Sequence, residues 1–484
     1  MPEPSPAGIT TFRPQPGAEA LRASLGGMQA ALGGRCCIVG GFVRDLLLGR
    51  PAITDVDVVV EGAPAVRAAE WLRRRWRGPE RVVEFERFGT ARVSFPDQSG
   101  GRLTVEFVRA RSEAYRPDSR KPEVRPGTVE EDALRRDFTV NALLLDAQGQ
   151  VLDPTGSGLA DLQRRLLRTP LDAAVTFAED PLRMLRAARF AAQLEFELAP
   201  GVEAAMAEAR ARLGIVSQER VRDELLKLLL APRPGPGLEI LARTGLLEGF
   251  APELAAMRRV EQGGYHSGDV FQHTCLALEH APPDRLVRLA VLLHDVGKPA
   301  TAVETEAGPT FHGHPRIGAE LAARFLRRLR FPTAEADAVA RLVLLHMRPI
   351  QYGADWTEAA VRRLWHDAGP LFPALLAVAR ADTLASNFPG TGGLDELESR
   401  VGRVAAAHPE GIGPVLGGSA LMEAFGLAGG PWVGRAQRLL LEAVIEGLLP
   451  DTDDPGRGPA ALDLLRARRD LWQPRPGEAG GRQG

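Results

Sequence analysis

The stretch from Gly40 to Val60, GGFVRDLLLGRPAITDVDVVV, constrains this chain more than any other, because it places a glycine turn, an arginine and two alternating carboxylates in one short unit. Ahead of it, Cys36 to Val39 is a short apolar run that reads as a buried strand, and Gly40 and Gly41 end it with residues that tolerate close backbone approach. The pattern predicts a helix from about Phe42, with Arg44 and Asp45 in its first turns, so that backbone N–H groups and a guanidinium sit where an anion can dock. After Pro51, Val56 to Val60 has strand character, which points Asp55 and Asp57 to one face. Two carboxylates on one face repel unless a cation lies between them, and hard divalent metals such as magnesium take such oxygen ligands beside substrate phosphates. Taken singly, the glycine pair is a tight turn and the acids a solvated strand end; together they form a candidate phosphate and metal site.

Downstream, Ala65 to Trp76 reads as a helix and Arg81 to Phe95 as two short strands with a turn at Gly89. Alternation makes Leu103 to Val108 a half-buried strand with Thr104, Glu106 and Val108 on one face. The segment from Arg111 to Thr128, polar and broken by prolines, reads as a mobile loop. Glu130 to Ala142 opens with acids and runs into Arg135, Arg136 and Asp137, which by charge alone is a helix matched to its dipole. In Glu179 to Arg186, Pro181 occupies a first helical position with Asp180 as cap, and Asp180 and Arg183 share a face. Ser217 to Leu225 begins another amphipathic helix, and Pro232 to Gly237 is read as a turn between helices.

GGFVRDLLLG followed by DVDVVVEG resembles the signature of bacterial tRNA nucleotidyltransferases and poly(A) polymerases, which share the polymerase β type of nucleotidyltransferase fold. RRDFTVNAL resembles the second motif of that family, EDPLRMLRAARF its base-reading motif, and the segment from Ser217 its fifth, which is read here as structural. The resemblance implies magnesium held by Asp55 and Asp57, with Glu106 as the third carboxylate from a neighbouring strand. It implies two-metal transfer of a nucleotide to an RNA 3′-hydroxyl, and triphosphate contacts from Gly40, Gly41, Arg44, Arg135, Arg136 and Asp137, with Asp137 accepting from a ribose 2′-hydroxyl. Asp180, Arg183 and Arg186 would read the base: a carboxylate accepts from an exocyclic amino group and a guanidinium donates to ring acceptors, which suits cytosine and adenine.

Histidine usage changes late in the sequence: of nine histidines none precedes Gly264, and seven fall between His266 and His346. The order His273, His294-Asp295, His312, His314, His346, Asp382 lies largely on apolar helical patterns and so can converge inside a bundle. Imidazole and carboxylate ligands suit a first-row divalent ion. The pattern resembles an HD-type metal phosphohydrolase domain, which implies His273, His294, Asp295 and Asp382 as ligands of nickel, manganese or cobalt; the alternative is a degenerate, metal-free HD fold.

The expected class is therefore α+β: an N-terminal extension (1–30), a polymerase-β-like head with a mixed β-sheet (31–155), an all-α neck and body (156–255), an α-helical HD domain (256–390) and a helical tail (391–484). In the tail, Gly430 to Arg435 reads as a turn opening a helix, and the residues from Pro474 as disordered. With 484 residues the chain has room for several cores. A formal net charge of −2 argues against a uniformly basic nucleic-acid binder, although arginines outnumber acids locally between Arg73 and Asp137. Three cysteines, two of them adjacent, argue against a disulfide framework, and the first residues carry no signal-peptide pattern, so the expected setting is the cytoplasm. The expected reaction is addition of C and A from CTP and ATP to the 3′ end of tRNA. A CC-adding enzyme, an A-adding enzyme and a poly(A) polymerase remain alternatives within the family, and an HD phosphohydrolase with a silent RNA-binding head remains one outside it.

Overall fold

The computed structural model of the protein describes residues 16–50, 54–78, 81–86, 89–96, 102–114, 123–263, 268–306, 308–386, 390–408, 411–449 and 456–474. The extreme N-terminus, the centre of the 111–128 segment, His266 and the tail expected to be disordered lie outside the described residues. The chain divides into two compact units, 1–228 with 236–250, and 229–235 with 251–484.

The first unit is built on a seven-stranded mixed sheet. Its strands are β1 (Cys36–Val39), β2 (Asp55–Val60), β3 (Val83–Phe85), β4 (Thr90–Pro96), β5 (Arg102–Arg109), β8 (Leu144–Leu145) and β9 (Val151–Leu152), in the order β3-β4-β5-β2-β1-β8-β9. β2 and β5 run parallel, and the other neighbours are antiparallel. Cys36 to Val39 and Val58 to Val60 are fully buried, as expected of central strands covered on both faces. On β5 the alternation holds, with Val105 and Phe107 buried and Thr104, Glu106 and Val108 half-buried on the opposite face.

The segment read as an N-terminal extension contains a helix, Pro16–Leu32, which buries Leu21, Leu25 and Met28 along one face. Two local expectations are corrected. The segment read as a mobile loop has strand arms, β6 (Arg111–Ala114) and β7 (Glu123–Pro126), paired antiparallel, because backbone pairing overrides the polar composition. The helix expected to carry the paired arginines is shorter: Val129–Leu134, capped by a Thr128–Glu131 capping box, ends before Arg135, and Thr139–Asn141 follows as a 3₁₀ turn.

The second unit is mainly helical. Val270–His280, Arg285–Leu293, His314–Arg328, Thr333–Leu345 and Phe372–Ala385 pack on one another. A two-stranded hairpin, Val303–Thr305 with Gly308–Thr310, interrupts the expected all-helical pattern. Nearer the C-terminus the helix Pro431–Ile445 starts where the Gly430-Pro431 pair placed it, and it shares an apolar cluster of Leu421, Trp432, Leu440, Leu465 and Trp472. Among the described residues no helix is long and apolar enough to cross a membrane.

Candidate active site and metal centre

In the first unit the register of the sheet assembles the site. Asp57 on β2 faces Glu106 on β5 as its parallel partner and Val39 on β1 as its antiparallel one. Since Gly40 follows Val39, the glycine turn is delivered beside Asp57. Gly40 has φ 83° and ψ −147°, a conformation reserved to glycine. A Cβ there would lie 3.2 Å from both Asp57 Oδ2 and Arg136 Nη1. The strand, the turn and the arginine thus converge with no room for a side chain between them. Asp55 is exposed at the start of β2.

The acids fit a cation. Burial pushes the Asp57 carboxyl up, the neighbouring Asp55 charge adds to this, and Arg136 opposes it. Burial also raises Glu106, followed by the charge of Asp57, with Arg92 opposing from β4. Carboxylates that resist holding their charge side by side gain most from a divalent ion.

Behind this edge lies a polar network that the sequence did not reveal. Asp137, 6% exposed, accepts from the backbone N–H of Phe138 at 2.8 Å, from Asn141 Nδ2 at 3.0 Å and from Arg186 Nε at 2.7 Å. Arg186 also donates to it through Nη2. Burial alone would raise this carboxyl, but the Arg186 charge and the hydrogen bonds from Asn141 and Arg186 hold it well below the usual carboxylate range. Arg44, 3% exposed, donates to both oxygens of Asp45 at 2.8 Å and to Asn141 Oδ1 at 2.6 Å. Glu224, on the helix Gln218–Leu229, meets Arg189 at 2.7 Å. The arginines of this group gather round Phe190, with Arg189 3.9 Å and Arg44 5.2 Å from its ring centre.

Two of the expected nucleotide contacts have partners within the protein: Asp137 is engaged by Arg186 and Asn141, and Arg44 by Asp45 and Asn141. Asp180 and Arg183 also point to different partners: the Asp180 carboxylate takes the Leu182 N–H and Arg220 Nη2, each at 3.2 Å. Arg183 donates to Glu179 at 3.3 Å and to the backbone carbonyl of Arg135. That last bond ties the helix Leu182–Leu194 to the Arg135-Arg136 pair, whose side chains also approach Asp132 at 3.5 and 3.3 Å.

Asp137→Asn removes the charge opposite Arg186 and should cost about 2–4 kcal/mol of stability, read by urea unfolding at neutral pH. Because the folded-state pKa is depressed, this contribution is present above the unfolded value of about 4 and fades as pH falls through the folded one. The variant and the parent should therefore converge in strong acid; a gap unchanged down to pH 2 would contradict the ion pair.

In the second unit the histidines gather. His273 Nε2 lies 2.9 Å from Asp382 Oδ1. His294 Nε2 lies 3.2 Å from Asp295 Oδ2 without meeting it at a hydrogen-bonding angle. His314 Nε2 and His346 Nε2 stand 3.4 and 3.8 Å from Asp295 Oδ1. Lys298 Nζ sits 2.6 Å from Asp295 Oδ2 and donates to Gln262. All of these ligand candidates are buried. Burial works against charge on His294, but Asp295 and Asp382 prevail and raise it to about 9, whereas burial pushes His346 down to about 4. The four expected ligands are together, and His314 and His346 join them. The exposed His312 lines a neighbouring cavity of about 550 Å³ with Lys298, Arg348 and Asp382.

The sequence matches family models for the poly(A) polymerase head domain over residues 36–168, for the probable RNA- and SrmB-binding site of polymerase A over 195–258, and for the HD domain over 263–387. It is 41% identical to an A-adding tRNA nucleotidyltransferase of Deinococcus radiodurans, over 66% of its own length and 76% of the relative's. It is 37% identical to a CC-adding tRNA nucleotidyltransferase of Thermus thermophilus, over 84% and 89% of the respective lengths. The structure of a Bacillus stearothermophilus CCA-adding enzyme in complex with CTP shares the fold, with a TM-score of 0.66 at 24% identity, covering 94% of this protein and 99% of that one. The chain belongs to the tRNA nucleotidyltransferase and poly(A) polymerase family, with an HD domain following its polymerase head.

Proposed function

We propose that the head adds C and A from CTP and ATP to the 3′ end of tRNA without a nucleic-acid template. The observation that carries this reading is the convergence of Gly40, Asp57 and Arg136, with Glu106 paired to Asp57 across the sheet. Relatives named for CC addition and for A addition support the substrate class.

Asp55, Asp57 and Glu106 would hold magnesium, which prefers an all-oxygen set and when bound supplies charge neutralisation at the reacting phosphates. The side-chain-free edge at Gly40 and Gly41 lets the triphosphate approach the backbone, and Arg135 and Arg136 offer it positive charge. The RNA 3′-hydroxyl gives up its proton to solvent and attacks the α-phosphorus, the bond from that phosphorus to the α,β-bridging oxygen breaks, and pyrophosphate leaves with that oxygen. Asp137 and Arg44 keep Arg186, Asn141 and the turn in place. Asp180 and Arg183 read the base, and the Arg183 bond to the Arg135 carbonyl sets base recognition next to phosphate recognition. Uracil and guanine carry a carbonyl where cytosine and adenine carry the amino group that Asp180 accepts from. For Asp180 to accept it, Arg220 must yield.

Asp180→Ala and Arg183→Ala should raise misincorporation of UTP and GTP by about five- to 150-fold, the loss of about 1–3 kcal/mol of discrimination. The ratio of kcat/KM for CTP over UTP reads this. Selectivity equal to the parent's in both variants would leave Asp180 a helix cap and Arg183 an ion-pair residue.

Incorporation of labelled CTP and ATP, each alone, on tRNA transcripts ending before the CCA, after C and after CC tests the function. The expected result is C on the first two and A on the third. Addition on the CC-ended transcript alone would show an A-adding enzyme, and C addition with no A would show a CC-adding one.

The HD domain supports a second reading, an independent metal-dependent phosphohydrolase. It rests on the buried His294 Nε2 that finds no hydrogen bond and on the cavity lined by its neighbours Asp295 and Asp382 together with Lys298 and Arg348. Nickel, manganese or cobalt suits His273, His294, Asp295 and Asp382.

A further inference from the structure

The register of the sheet sets a further residue among the head acids. β5 pairs with β2 on one side and β4 on the other, so Asp57, Glu106 and Arg92 form one row across three strands, and Asp55, Thr104 and Ser94 form the next. Residues paired across neighbouring strands point to the same face. The Ser94 and Thr104 hydroxyls, 3.1 Å apart, meet on that face. On the opposite face Ala91, Val93, Val105 and Phe107 are buried, and the helix Ala65–Arg75 packs on those strands. The acid-bearing face, whose residues are half-buried or exposed, is the one a substrate can reach.

Arg92 is exposed, and its guanidinium lies 5.5 Å from the centre of the Phe85 ring on β3. Phe85 pairs with Thr90, so the ring shares the acid-bearing face, and attraction to its π-cloud holds the cation in place. The Arg92 charge opposes the rise of the Glu106 carboxyl, yet among the described residues no carboxylate closes an ion pair with it. An arginine so placed offers a fork of donors that matches a phosphate.

In phosphoryl transfer the attacking and leaving oxygens lie roughly in line through the phosphorus. With the triphosphate beside Gly40 and Arg136, at the β1 end of the row, pyrophosphate leaves on that side. The RNA 3′-hydroxyl must then approach from the side of β5 and β4. Neighbouring strands are about 4.8 Å apart, so the Arg92 backbone stands about one spacing from Glu106 and about two from Asp57. The terminal nucleotide's own 5′-phosphate lies one sugar away from its 3′-hydroxyl, which carries that phosphate over β4 when the hydroxyl is at the acids.

We propose that Arg92, steadied by Phe85, binds the last internucleotide phosphate of the RNA substrate and so sets the 3′-hydroxyl against the α-phosphorus. This rests on reading the head as a nucleotide-adding site with the triphosphate at the glycine turn.

The test pairs Arg92→Ala in the full-length protein with a tRNA whose last internucleotide linkage is a neutral methylphosphonate. Single-nucleotide addition is measured on the tRNA that the parent extends, together with its pH profile. The variant should lose about ten- to 150-fold in kcat/KM for tRNA, the range of one charge-assisted contact, with KM for the nucleoside triphosphate within about twofold of the parent's. The parent should lose as much on the methylphosphonate RNA, and the variant little more on it, because both changes remove the same contact. Losses that multiply, or a variant equal to the parent on ordinary tRNA, would overturn the contact. So would a change confined to the pH profile with KM for tRNA unchanged, since Arg92 would then act only through the charge of Glu106. No addition by the parent to any tRNA would instead overturn the reading of the head.

Discussion

Asp57→Ala is expected to lower nucleotide addition by about a thousandfold or more while leaving tRNA binding within a few-fold of the parent. Asp57 is flanked by Glu106 in register, by Asp55 two residues before it and by the glycine turn. Losing it removes the central oxygen ligand of the proposed magnesium site. Charge stabilisation by a bound metal is worth several kcal/mol, and each 1.4 kcal/mol is about tenfold in rate. RNA, by contrast, is held through shape and backbone contacts that do not pass through this side chain. Asp55→Ala should behave alike, and Glu106→Ala in the same direction. Single-turnover incorporation of labelled CTP, beside a gel-shift measurement of tRNA affinity, separates the two effects. Near-parental turnover in either aspartate variant would remove the carboxylates from the chemistry.

An equally large effect is expected at the other centre. His294→Ala combined with Asp295→Ala should abolish nickel-, manganese- or cobalt-dependent hydrolysis of a phosphodiester or phosphomonoester, yet leave CTP and ATP addition within about twofold. Asp295 contacts His294, His314 and Lys298, so its loss dismantles every ligand set there, while the head acids belong to the other compact unit. Because Lys298 loses its buried partner, thermal unfolding should accompany the assay, and Asp382→Asn offers a milder variant that keeps the Asp295–Lys298 pair. Absence of hydrolysis in the parent across these ions would favour the degenerate HD fold.

The head was legible where chemistry and periodicity coincide. Asp55 and Asp57 two apart on an apolar run, Glu106 on an alternating strand, and a glycine pair between strand and helix are local signals, and the sheet brings them together in register. Partners supplied from far along the sequence were not legible. Asn141 is an ordinary polar residue until the 3₁₀ turn Thr139–Asn141 sets it between Arg44 and Asp137. Glu224 looks like any helix-surface acid until its helix buries it against Arg189. Charge patterning could have hinted at these, because an arginine-rich helix such as Leu182–Leu194, with Arg189 buried, must find acids elsewhere. The same limit explains Asp137 and Arg44: type and motif placed them near the nucleotide, but only packing shows which neighbours take up their hydrogen bonds. Among the histidines, clustering in sequence was visible, whereas the pairing of His314 with His346 depends on two helices meeting. The strand arms at Arg111–Ala114 and Glu123–Pro126 escaped because prolines and charges there mimic a loop.

The sequence of the product made by the unmodified protein from a tRNA transcript lacking its CCA, with all four nucleoside triphosphates present and an unstructured RNA of equal length beside it, tests the assigned reaction directly. C, C and A should be added to the tRNA in that order, addition should then stop, and the unstructured RNA should stay essentially unextended. Long A tracts on the unstructured RNA, or U and G incorporated into the tRNA as readily as C and A, would contradict it.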